Sequence, residues 1–353
     1  MSRSAAALIL LAACTVLSMQ AVSAADGVID TIAFGSCAKE DRPQPIWDQV
    51  IAQQPDLFLF IGDNMYADSP EKPRSPGDIA EAYRVLGQQP GYQRLLRTCP
   101  VLATWDDHDY GLNDAGKEFP MKRESQQLML MFFNEPADSL RWQREGVYGA
   151  WVFGPPGRRV QVILLDTRYH RDALRRAENW QRGNIGPYLP HEDGSPQLLG
   201  EEQWSWLGEQ LKKPADLRVI GSSIQVVPYE HQWECWGNFP HERRRLYDLI
   251  GETGAGGVVM VSGDRHLMEI SRDEEEAAPY PMVDFTSSGL TQDPGEADEP
   301  NRFRVSPVLR QTNFGVLRID WGAQPVLVTM VGIGSEGQRL MEYAVTLDEL
   351  QTR

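Results

Sequence analysis

Cysteine is scarce in this 353-residue chain, with four in all, at positions 14, 37, 99 and 235. So few exclude a small disulfide-stapled scaffold, and burial of apolar surface must hold the fold. Positive charge is also short: 34 Lys and Arg face 50 Asp and Glu, a formal net charge of −16. Such a chain lacks the cationic excess for nonspecific binding to nucleic acid or anionic lipid, so neither is expected as a stable partner. A phosphate ligand here needs local positive charge, from a metal or a few arginines. Past residue 25 no apolar run approaches the ~20 residues of a membrane span. Internal repeats and long linkers are absent, and glycine and proline are scattered, which excludes a fibre or a disordered tract. What is present is 41% hydrophobic residues, enough for a sizeable core.

The first 25 residues read as a leader rather than as fold. Arg3 is the only charge before Asp26, residues 5–17 are apolar, and Val22-Ser23-Ala24-Ala25 offers small residues for cleavage. An export signal is expected over 1–25, with 26–353 as a single domain, secreted or periplasmic. Leu11-Ala12-Ala13-Cys14 also fits a lipoprotein cleavage box, which would leave Cys14 lipidated. In an oxidising compartment Cys99 and Cys235 are open to pairing, and Cys37 is left for another task.

Short apolar strands alternate with helical patterns. Strands are expected over 31–34, 55–62 with its apolar run at 57–61, 101–105, 160–165, 217–220 and 257–262. Helices are expected over 46–53, 78–97 and 201–211. The tail differs, with hairpin strands over 314–319, 325–331 and 341–346. The alternation predicts an α/β layered fold with C-terminal β-hairpins.

Each of several apolar strands runs out into a polar group able to ligate a metal. The ends read Gly35-Ser36-Cys37, Gly62-Asp63 with Tyr66 and Asp68 beyond, Trp105-Asp106-Asp107-His108-Asp109, Leu165-Asp166-Thr167-Arg168 and Ser262-Gly263-Asp264-Arg265-His266. Ligands of open α/β sheets bind beyond the carboxyl ends of strands, where residues distant in sequence converge. Carboxylates gathered in a dry site must be protonated, paired or metal-bound. The set Cys37, Asp63, Tyr66, Asp107, Asn113, Asp264 and His266 mixes hard oxygen donors with thiolate and imidazole, which suits a site of more than one metal. These ligand types alone also admit Mn or Zn. Taken singly, a Gly-Asp is a turn, a lone Cys an inert thiol and a lone Tyr a core residue. Their succession in order is the specific signal.

At these motifs, together with Gly221-Ser222-Ser223-Ile224-Gln225 and Thr286-Ser287-Ser288-Gly289-Leu290, the sequence resembles the PhoD-like alkaline phosphatases, a branch of the calcineurin-like metallophosphoesterases. The resemblance runs from about residue 31 to 291. It implies a four-layer αββα sandwich and hydrolysis of phosphomonoesters by metal-activated hydroxide, with Fe(3+) and Ca(2+) as cofactors. It places ferric iron on Cys37, Asp63 and Tyr66, a calcium contact on Asn113, and further ligands at Asp107, Asp264 and His266. His108 falls where a proton donor to the leaving group is expected, with Arg168 as a catalytic charge on the phosphoryl oxygens or an ion-pairing residue. Asn64, Tyr110 and Arg168 are expected around the substrate, and Asp166 as a ligand or as a residue that orients one. The chain departs from the family in reading Asp-Asp-His-Asp where Asp-Asp-His-Glu is frequent, and between the expected leader and the first strand no N-terminal β-domain of the kind in longer members is expected. A phosphodiesterase or phospholipase C-like hydrolase would use the same metals. A secreted metal- or phosphate-binding protein without turnover is the reading from another class. A carbohydrate-binding module is a further one, but Trp47, Trp204 and Trp206 lie at core positions of helical patterns.

Overall fold

The computed structural model describes residues 27–67, 74–275, 278–291 and 299–352. The expected leader, Cys14 and Asp68 lie outside them. In chain order the elements are β1 (Thr31–Gly35), α1 (Ile46–Ala52), β2 (Leu57–Ile61), α2 (Pro76–Gln88), α3 (Pro90–Leu95), β3 (Val101–Thr104), α4 (Asp107–Tyr110) and α5 (Lys122–Phe132). There follow β4 (Gly149–Phe153), β5 (Val160–Leu164), the two-residue strands β6 (Arg175–Arg176) and β7 (Tyr188–Leu189), α6 (Glu201–Leu211), β8 (Leu217–Ser222) and α7 (Pro240–Thr253). The chain closes with β9 (Val258–Ser262), β10 (Met268–Asp273), β11 (Met282–Ser287), β12 (Asn313–Asp320), β13 (Leu327–Gly334) and β14 (Arg339–Thr346).

Two six-stranded sheets form, in the orders β14-β13-β12-β1-β2-β3 and β10-β11-β9-β8-β5-β4. Their stacking follows from the sequence of β2, Leu-Phe-Leu-Phe-Ile, which has no polar face. Leu57, Leu59 and Ile61 join the core between the sheets with Val162, Leu164, Val219 and Phe285. Phe58 and Phe60 point the other way, onto Trp47 of α1, with ring centroids 5.4 and 5.7 Å apart. A strand buried on both faces reads as a continuous apolar run. Each such side chain contributes about 1.5–3 kcal/mol by leaving water. On the outer face of the second sheet, Trp204 and Leu207 of α6 and Leu246 and Ile250 of α7 close the core. The layers are therefore helix, sheet, sheet, helix, as expected.

The tail hairpins form, and they extend the first sheet: β12 pairs antiparallel with β1. One expected element is corrected. The helix over 78–97 is two helices, because Gln89 adopts an extended ψ of 118° before Pro90. A proline forces its predecessor out of helical geometry and gives its own ring to the start of the next helix. The pairing left open between Cys99 and Cys235 is not made: Cys37, Cys99 and Cys235 are buried free thiols. Cys99 leads into β3 of the first sheet, whereas Cys235 bridges to Gln225 beside the second. Among the described residues no helix is long and apolar enough to cross a membrane.

Candidate metal centre

The strands β1, β2 and β3 run parallel, as do β5, β8, β9 and β11. Their carboxyl ends lie together, so the turns after them meet at one end of the sandwich. Those turns are sharp. Cys37, Asp63, Asp264 and His266 have φ values of 64°, 49°, 68° and 51°, in the left-handed region that side chains seldom adopt. Gly62, at φ 100°, precedes Asp63 where a Cβ would stand 2.6 Å from that of Asp106. Four strained non-glycine residues at one place mark a functional constraint rather than an accident of packing.

The side chains converge on Asp63. Its Oδ2 accepts from Tyr66 Oη at 3.2 Å and from Cys37 Sγ at 3.3 Å, and Tyr66 Oη lies 3.1 Å from His266 Nε2. Its Oδ1 accepts the backbone N–H of His108 at 3.4 Å. Three groups share this carboxylate: Cys37 with His266, Asp107 with His108, and Asp106 with Asp264. In each, the ligand atoms lie within 4.8 Å of one another. A further group joins Asp107, Asp114 and Glu234. Buried Asp106 Oδ2 and Asp107 Oδ1 have no hydrogen-bond partner among the described residues. A buried carboxylate oxygen without a partner is costly, and cations among these donors remove that cost. The donor chemistry and the orphaned oxygens therefore fit metal ions.

The electrostatics agree. Burial, then the neighbouring Cys37 and Asp107, push the Asp63 carboxyl far above its ordinary range. Burial carries Asp264 up to about 8 against the opposing Arg265, and Cys37 up to about 11. Burial and Arg265 take His266 down to about 4. Asp107 differs: burial raises it, but His108 and Arg168 together hold it below the usual carboxylate range. The metal-free protein thus keeps some of these carboxyls protonated. A carboxyl with a raised folded pKa stabilises fully below its unfolded pKa and loses that contribution as pH rises through the folded value. His266, depressed, acts only below about pH 6.5 and the buried thiols, raised, only near pH 9 and above, so the interval from pH 7 to 8 isolates the carboxyls. Metal-stripped protein should lose roughly 2–4 °C in Tm across that interval. Stabilisation by added metal should grow over the same interval, because binding requires the ionised forms. Asp264→Asn should flatten the metal-free slope; an unchanged slope would refute the assignment.

The expected residues do not all face one space. A cleft of about 300 Å³ is bordered by Asp63, Asp107, His108, Asn113, Asp264 and His266. Asn113 stands exposed on its rim. His108 packs against Tyr66 with ring centroids 4.1 Å apart and the planes tilted by 36°. Arg168 lies elsewhere: it is fully buried, with Nε 2.6 Å from Asp106 Oδ1 and Nη1 2.8 Å from Glu234 Oε1. The structure gives it the ion-pairing place, not a place on the cleft wall. Tyr110 is core, donating to Gly116 O at 2.9 Å and packing on Trp105 and Phe119. Asn64 is buried and braces the turn, donating to Thr104 O at 2.9 Å and to Asp109. The carboxylate oxygens of Asp166 accept the N–H groups of Val147, Arg168 and Tyr169, so it shapes the turn after β5.

Three residues of the site escape the sequence reading. Glu40 accepts the N–H of Tyr66 at 2.8 Å and that of Ala67 at 3.2 Å, which fixes the Tyr66 loop. Asp114 donates its N–H to Asp107 Oδ2 at 2.7 Å. Glu234 holds Arg168 and, at 3.1 Å, Arg171. None follows an apolar strand, the signal that reveals the others.

A sequence model of PhoD-like phosphatases matches residues 32–315. The alkaline phosphatase D of Bacillus subtilis (strain 168) is 24% identical over 318 residues, covering 76% of this chain and 52% of its own. The chain thus spans about half the length of the curated relative it matches. Among solved structures, one of PhoD superposes with a TM-score of 0.70 at 18% identity, covering 94% of this chain and 72% of that one. The purple acid phosphatase PPD1 of yellow lupin superposes with a TM-score of 0.60 at 12% identity, covering 90% and 54%. At these identities the structural likeness shows the fold, that of the metallophosphoesterases.

Proposed function

This chain belongs to the PhoD-like phosphatase family, and from that premise we propose that it is a metal-dependent phosphoric ester hydrolase acting on phosphomonoesters. The observation that carries the reading is the sharing of Asp63 among three ligand groups at the floor of one cleft. A carboxylate so shared suits two cations side by side. We assign Fe(3+) to Cys37, Asp63, Tyr66 and His266, because thiolate and phenolate suit ferric iron. We assign Ca(2+) to the oxygen donors around Asp107, Asn113 and Asp264. Bound there, the cations supply charge for the phosphoryl oxygens and acidity for an attacking water.

The chain's own groups do the rest. The Tyr66 ring and the tether of the His108 N–H to Asp63 hold the His108 imidazole at the cleft, within reach of the leaving oxygen. Burial lowers the pKa of His108 although Asp107 opposes it, so its protonated form is the stronger donor to a departing alkoxide. The short apolar segment and small residues before Asp26 support export of the enzyme.

The test is an assay of protein as purified on an aryl phosphomonoester and an aryl phosphodiester, with metal content measured in parallel. We expect turnover of the monoester to exceed that of the diester at least tenfold, to vanish on chelation, and to return with iron and calcium. A diester rate above the monoester rate would move the assignment to a phosphodiesterase. Turnover of neither, by folded protein holding both metals, would leave a binding protein.

A further inference from the structure

With Arg168 withdrawn into the interior, the phosphoryl group of a substrate lacks its expected arginine. We propose that Arg182, on the hairpin of residues 175–189, is the residue that holds it. This inference rests on the phosphoric ester hydrolase reading. It assigns to the hairpin the wall of the substrate site and to Arg182 a direct contact with the phosphoryl oxygens.

Charge accounting around the cleft singles Arg182 out. Arg168 is held by Asp106 and Glu234, and Arg171 by Glu234. Arg265 lies at the cleft, but its guanidinium pairs with Glu299 at 2.5 Å, contacts Asp264 at 3.4 Å and covers the ring of Trp233. Arg310, also on the border, is already engaged within the chain. Arg182 borders the same cleft and is exposed, and among the described residues no carboxylate pairs with it. Asp63, Asp107 and Asp264 line the same cleft. A guanidinium on the border of a cleft that holds those carboxylates, with no ion-pair partner among the described residues, supplies the local positive charge that a net charge of −16 otherwise denies a phosphate ester. Its planar fork matches two phosphoryl oxygens at once.

The hairpin is built to hold that position. Gly186 donates its N–H to His231 O at 2.6 Å, and Tyr188 donates its own to Gln232 O at 2.9 Å. A Cβ on Gly186 would stand 2.2 Å from Gln232 O, so the two segments meet at a distance only glycine allows. Trp180 donates to Ile185 O at 2.8 Å across the hairpin and meets Trp233 edge to face at 5.7 Å. Tyr188 donates its hydroxyl to Asp114, which ties the wall to the carboxylates of the floor. Gly183, next to Arg182, also borders the cleft. Its missing side chain leaves the guanidinium room beside the ligand.

The experiment measures binding of inorganic phosphate to protein as purified, by calorimetry, beside kinetics on an aryl phosphomonoester. Arg182→Ala should weaken phosphate binding about 10- to 100-fold, as expected for a lost charged hydrogen bond. It should raise KM by the same factor and leave kcat within about threefold. Arg182→Lys should recover part of the binding. Arg175→Ala is the control: it removes the same charge from the same hairpin, but Arg175 pairs with Glu192 and does not border the cleft. Its phosphate affinity should match the wild type. Full affinity in Arg182→Ala would overturn the proposal. So would an equal loss in Arg175→Ala, which would make the effect one of distant charge, and so would a wild-type protein that binds no phosphate. If phosphate binds through Arg182 but no ester turns over, the wall stands and the hydrolase reading fails.

Discussion

Asp63→Asn should abolish turnover, with a loss of at least roughly 1,000-fold, while the protein stays folded. Asp63 is the residue common to three of the four ligand groups, so one neutral amide removes charge from those three at once. Asparagine is close in shape and tolerates the left-handed backbone found there at φ 49°. Its one carbonyl oxygen keeps either the Tyr66 hydroxyl or the His108 N–H, which in the wild type donate to different oxygens of Asp63. Because burial and neighbouring charge oppose ionisation of Asp63, the metal-free variant should be at least as stable as metal-free wild type above neutral pH. The measurements are metal content by mass spectrometry, circular dichroism and activity. A folded variant with full activity would sink the assignment of the site.

Arg168→Met should act on the fold first. The side chain is completely buried between Asp106 and Glu234, which are themselves 1% and 2% exposed. Removing one partner of a buried ion pair leaves the other charge uncompensated, at a cost of about 3–5 kcal/mol. Glu234 keeps Arg171, but Asp106 keeps only the hydroxyl of Ser223 at 2.6 Å and the capping N–H groups of α4. Urea unfolding should show the midpoint shift. Arg168→Lys should recover little, since an ammonium cannot serve both carboxylates through a planar fork. A variant of unchanged stability with a raised KM would instead make Arg168 a substrate contact and return to it the role proposed for Arg182.

The two arginines show where the sequence is legible. A metal-competent residue announces itself when it follows an apolar strand, because no bland explanation covers Asp-Asp-His-Asp after Val101–Thr104. Cys37, Asp63, Asp107, Asp264 and His266 are found in this way. The direction a neighbouring side chain takes has no such mark. Arg168 follows a strand as Asp63 does, yet turns inward to Glu234, a residue 66 positions on that no local pattern connects to it. Tyr110 shares its motif with two carboxylates at the floor and still goes to the core, because an aromatic ring gains more from Trp105 and Phe119 than from water. Arg182 lies between Gln181 and Gly183 in a loop without periodicity, and only the pairing of Gly186 and Tyr188 with residues 231 and 232 brings it to the cleft. Helix α7 is missing from the expected elements although Pro240 opens it and Leu246, Tyr247 and Ile250 share one face. The charged run from Glu242 to Arg245 dilutes its apolar stripe.

The antiparallel pairing of β12 with β1 sets an order of assembly. Thr31 meets Arg318 and Phe34 meets Gly315, contacts that span nearly the whole described chain. During synthesis Cys37 emerges before the other ligands, in the turn after a strand whose second neighbour is made only after all of them. Until that segment arrives, β1 is an open edge, and the turn that carries the Cys37 thiol hangs from a half-built sheet. The first ligand translated is therefore fixed in place late, after Asp63, Asp107 and Asp264 have emerged, and the nascent chain does not present a finished cation trap while its sheets are still forming.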